Sequence, residues 1–104
     1  MSLKEEIKAT VSKQYNKVIK MSNVWSAKEV AHFKSLDGKN EFLVEILKSL
    51  VILREKLTEA VALEISQKDK IELINYISDR ISTLEAYEEG TVAQIKKLEK
   101  LKKE

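Results

Sequence analysis

No proline interrupts this chain of 104 residues, and only two glycines, Gly38 and Gly90, loosen its backbone. Hairpins and other tight corners depend on these two residue types for their unusual φ values. A β-rich or loop-rich chain would need more of both. What remains is a small number of long helices with short connections. The apolar residues agree, because they recur at intervals of three and four rather than two. The fold class expected is all-α: a helical bundle of four or five helices, forming a single domain over residues 1–104.

Helix starts are marked by Ser followed three residues later by an acid, the pattern in which side chains satisfy the first free backbone N–H groups. Ser2 with Glu5 opens a first helix to about Met21, with Leu3, Ile7, Val11, Tyr15 and Val18 on one stripe. Ser26 with Glu29 opens a short second helix, and Asp37-Gly38 is expected to close it, since glycine suits the left-handed residue after a helix. A third helix over about 41–65 is the most apolar segment. Leu43, Ile46, Leu47, Leu50, Val51, Leu53, Leu57 and Val61 spread over a broad face, with Ile52 and Leu63 on the far side. Ser66 with Asp69 begins a fourth helix over about 67–89, antiparallel to the third in a long hairpin. Thr91 with Gln94 resembles a further start after Gly90, so a break and a separate C-terminal extension are expected there. One continuous helix is the alternative, because the phase of Ile77, Ile81 and Leu84 runs on through Thr91, Ile95 and Leu98.

Apolar residues make up 43% of the chain and charged residues 35%. This mixture is too apolar for disorder and suits exposed helices around a modest core. The net charge of +2 hides an uneven distribution: residues 1–20 carry +3, residues 21–90 carry −4, and residues 91–104 carry +3. Cysteine is absent, which removes disulfides, thiolate catalysis and thiolate-bound metals from consideration. No apolar run approaches a membrane span, and charged Lys4, Glu5, Glu6 and Lys8 stand where a leader would be apolar, so a cytoplasmic location is expected.

The residues offer little chemistry. His32 is the single histidine. With Glu29 it makes Glu-x-x-His, a spacing that presents two ligands to one metal, but di-metal bundles need two such motifs and further carboxylates. No metal or cofactor is expected. Nucleophilic catalysis needs a nucleophile, a base and an orienting group, and glycine-rich phosphate loops are missing. An enzyme is therefore not expected.

Interaction is the reading that remains. Trp25, the single tryptophan, is expected either to plug the junction between helices one and two or to act as a binding hot spot. Arg54 projects into the apolar face of helix three, where a charge must be paired or placed at an interface. An internal ion pair with an acid of helix four is the structural expectation. Candidate interface residues are Trp25, Arg54, Ile52, Leu63, Ile95 and Leu98. Lys96, Lys97, Lys100, Lys102 and Lys103 form a possible nucleic-acid contact, diluted by Glu99 and Glu104 and lacking arginine. The function expected is a non-enzymatic adaptor or scaffold that binds another protein and self-associates, as a homodimer. A small nucleic-acid-binding regulator and a small cytoplasmic helical chaperone are the alternatives.

Overall fold

The computed structural model describes residues 2–103, without the side chain of Lys103. It contains four helices and, among the described residues, no strand: α1 (Leu3–Ser22), α2 (Ala27–Lys34), α3 (Leu36–Ala62) and α4 (Gln67–Lys103). The all-α bundle with a long α3–α4 hairpin is as expected.

Cap chemistry positions most starts. The Ser2 hydroxyl accepts from the Glu5 N–H at 3.2 Å. Ser26 and Glu29 form the full reciprocal box, and the Ser66 hydroxyl accepts from the Asp69 N–H at 3.2 Å. Ser35, which no local pattern announces, both ends α2 and caps α3, accepting from the Gly38 N–H at 3.0 Å.

Both glycines depart from expectation. Neither has a positive φ, and neither ends a helix. Gly38 lies in the first turn of α3, pressed against the end of α2, where a β-carbon would collide with the His32 carbonyl oxygen. Its use is close backbone approach, not termination. Gly90 sits within a continuous α4 of 37 residues. The expected break at Thr91 does not occur. Leu84, Thr91 and Ile95 are buried on one continuous face across the glycine. A single glycine costs about 1 kcal/mol in a helix interior, less than losing that face and nucleating a new helix.

Polar contacts define the topology. Lys4 to Asp69 (3.2 Å), Lys8 to Glu72 (3.6 Å) and Ser12 to Tyr76 advance together along α1 and α4, so these helices are parallel. Lys17 to Glu45 (3.1 Å) and the Ser49 hydroxyl to the Gln14 carbonyl (3.3 Å) run in opposite order, so α3 is antiparallel to α1. Ile7, Val11 and Val18 of α1, Phe42, Ile46, Leu50 and Leu53 of α3, and Leu73, Ile77 and Leu84 of α4 form the core. α1 stops at Ser22 while the hairpin continues. The molecule is a slab of 57 × 26 × 16 Å whose long axis is about the length of α4 at 1.5 Å per residue.

Candidate interaction surfaces

The broad apolar face of α3 is divided by the fold. Ile46, Leu50 and Leu53 face inward, whereas Val44, Leu47, Val51 and Val61 remain 42–55% exposed. Positions 44, 47, 51, 54, 58 and 61 alternate steps of three and four, which aligns them as one straight seam on a helix. Arg54 and Thr58 complete it.

Arg54 pairs with Glu85 of α4 at 3.2 Å, so the partner element expected from the sequence is the one found. The burial is not. Both side chains are about half exposed, at 51% and 50%. Side chains lean toward the N-terminus of their own helix, so in an antiparallel pair these two long chains lean toward each other along the outer edge of the seam. A pair this exposed contributes about 1 kcal/mol or less.

Trp25 does not plug the α1–α2 junction. It is 89% exposed on the connector between them. Ile52 and Leu98 are half-buried, Leu63 packs against the core cluster, and Ile95 is buried within the chain. The six candidate interface residues thus do not form one patch: Trp25 and Arg54 are exposed, and Leu63 and Ile95 face inward. Exposed Leu47, Val51 and Val61 stand among the apparent core positions of the sequence, because periodicity cannot tell which side of a wide apolar face a neighbour will cover.

The Glu29 carboxylate is taken by its cap, accepting from the Trp25 N–H at 3.2 Å. His32 Nε2 instead lies 2.8 Å from Glu41 Oε2 on α3. No cluster of three or more metal-ligating side chains occurs among the described residues. Lys96, Lys97, Lys100 and Lys102 are exposed along the last turns of α4, with no ion pair among the described residues. The side chain of Lys103 lies outside what is described. No helix among the described residues is long and apolar enough to cross a membrane.

A cleft of about 520 Å³ opens where α1 ends, lined by Phe33, Lys39, Phe42, Tyr87, Gly90 and Thr91, with Ser22 at its edge. Phe42 meets Phe33 edge-on at 5.1 Å and Tyr87 edge-on at 6.1 Å between ring centroids. Lys39 is only 8% exposed, its Nζ 3.8 Å from the Phe33 ring centroid. Burial, and then the like charge of Lys34, pull the Lys39 amine below the ordinary lysine range.

Comparison of the chain with protein-family models, curated proteins and solved structures finds no match.

Proposed function

We propose that this protein is a non-enzymatic helical interaction module, an adaptor or scaffold, that self-associates as a homodimer through the outer seam of α3. The observation that carries the reading is the unpartnered row of Val44, Leu47, Val51 and Val61. Such a row on a helical hairpin is the surface that a second hairpin covers to complete a larger bundle.

The seam is matched to itself when reversed. An antiparallel two-fold pairing sets Val44 against Val61 of the second copy, Leu47 against Thr58, and Val51 against the aliphatic stem of Arg54. A two-fold interface repeats each contact, so every layer occurs twice. The flanking charges agree. Lys48, beside the seam, comes opposite Glu55 of the second copy. Within one chain Lys48 has only a long contact to Glu45 at 3.8 Å, and Glu55 has no ion pair among the described residues. Opposite charges flanking an apolar seam select this register and orientation.

Sedimentation equilibrium tests the reading. The wild-type chain should give a dimer mass, and Leu47→Glu or Val51→Glu should give a monomer that keeps its helical circular dichroism. Lys48→Glu or Glu55→Lys alone should weaken the dimer, and the two together should restore it. A wild-type monomer over a wide concentration range would refute self-association.

A further inference from the structure

The cleft above the end of α1 is a different surface from the α3 seam, and the inference drawn from it does not depend on self-association. Lower in the molecule, the groove between α3 and α4 on this side is filled by Ile7, Val11 and Val18 of α1. Above Ser22 no residue of α1 continues to fill it, and the groove opens into the cleft lined by Phe33, Phe42 and Tyr87. The walls remain mainly apolar where the chain's own apolar filling stops, with Thr83, Thr91 and Gln94 adding polar edges.

Two further features point to an occupant. The first is Gly90. A glycine in mid-helix needs a reason, because alanine is the better helix former. Its φ is not positive, and a β-carbon built on it would meet nothing within 4 Å, so neither conformation nor packing inside the chain requires it. It does line the cleft, where the missing side chain leaves the α4 backbone open to close approach. The second is Lys39. It is more than nine-tenths buried, and no carboxylate among the described residues lies within ion-pair distance of its Nζ. A lysine this enclosed ordinarily has a counter-charge beside its ammonium. The Phe33 ring face supplies only partial compensation.

We propose that this cleft binds a small apolar monocarboxylate, with its hydrocarbon body between Phe42, Tyr87 and Gly90 and its carboxylate on the Lys39 ammonium. The volume falls within the range of small-molecule sites. A single ammonium matches a single negative charge. A phosphate dianion would call for a second cation, typically an arginine fork, and Lys39 is the one basic side chain lining this cleft.

The test is a two-dimensional amide NMR titration of the full chain with decanoate, below its micelle concentration, with decanol and decyltrimethylammonium as controls of the same length. Decanoate should saturate and shift resonances of Phe33, Lys39, Phe42, Tyr87 and Thr91. The alcohol should bind at least about tenfold more weakly and the cation not measurably. Lys39→Met should reduce decanoate to the affinity of the alcohol. Gly90→Leu should abolish binding and Gly90→Ala weaken it, both with the helical spectrum retained. The monomeric Leu47→Glu variant should bind decanoate as wild type does, which separates this site from the α3 seam. Absence of saturable binding, equal binding of acid and alcohol, unchanged affinity in Lys39→Met, or shifts confined to the α3 seam would each overturn the proposal. A change of assembly mass in Gly90→Leu, or an acidic apolar peptide outcompeting decanoate, would reassign the cleft to a protein contact and overturn it equally.

Discussion

At Gly38 an added β-carbon would meet the His32 carbonyl oxygen, whereas at Gly90 it would meet open space. The two glycines should therefore respond to alanine with opposite signs. Gly38→Ala forces α2 and α3 apart at their junction and should lower stability by about 1–3 kcal/mol, the usual cost of overpacking. Gly90→Ala removes backbone freedom from the unfolded chain without a clash and should raise stability by about 0.5–1 kcal/mol. Urea unfolding of the two variants beside wild type checks both; a fall for Gly90→Ala would mean that α4 needs flexibility there. From sequence the two positions look alike, because glycine serves a helix end, a close approach and an open cleft equally well. Arg54 shows the same limit. Its pairing with an acid of α4 was legible from helical projection, but its exposure depends on how far α4 covers α3, which no local pattern contains.

Among the helices, α4 is the one that outgrows its partners, with 37 residues against 27 for α3. Its last turns carry Lys96, Lys97, Lys100 and Lys102 on exposed positions, interleaved with Glu99. With so few phosphate contacts available, binding to a short DNA duplex should be weak at low salt. It should fade steeply as salt rises, with a log–log slope no greater than about 4 in magnitude. Filter binding across a salt series measures this. Sequence-specific binding that survives added salt would move function from the α3 seam to this arm. Deleting residues 99–104 leaves Lys96 and Lys97, so it should weaken the binding and lower the salt slope, while the unfolding free energy stays within about 0.5 kcal/mol of wild type, since Lys100, Leu101 and Lys102 are exposed. Where helices begin was legible, because a serine hydroxyl and the N–H three residues on are neighbours whatever the rest of the chain does. Where α3 begins was not, since Ser35 precedes Gly38 rather than an acid.

In the whole molecule, α1 is held to the hairpin by ion contacts as well as by its stripe. The Lys17 ammonium holds the Glu45 carboxyl below the ordinary value of 4.5. Glu45 Oε2 is shielded from water and makes no hydrogen bond, so this 3.1 Å ion contact is its main compensation. The Ser66 hydroxyl and the Lys4 ammonium likewise hold Asp69 below its ordinary value of 3.8. A carboxyl with a depressed folded pKa binds protons less readily folded than unfolded. Its stabilisation is fully present above the unfolded pKa and is lost as pH falls through the folded one. Acid should therefore loosen α1 first, between about pH 5 and pH 2. Hydrogen exchange should show α1 amides losing protection before those of α3 and α4, and Glu45→Gln should flatten that pH dependence. Simultaneous loss in all three helices would show that the apolar stripe, not these pairs, limits α1 docking.

The sequence by itself determined what depends on neighbours within a turn or two. The all-α class, three of the four helix starts and the inward Ile7–Val11–Val18 stripe rest on hydroxyl caps and on 3.6-residue spacing. The antiparallel α3–α4 hairpin also follows from it, through two long apolar helices joined by a few residues. Only the tertiary structure decided which part of the wide α3 face stays uncovered, that Trp25 stands in solvent, and that α4 passes through Gly90 without a break. It also placed Lys39, on the first turns of α3, in an aromatic cleft without a counter-charge. These outcomes turn on where α1 stops relative to α3 and α4 and on which faces a flat bundle leaves bare. Such quantities depend on contacts between residues tens of positions apart, where burial outweighs local propensity.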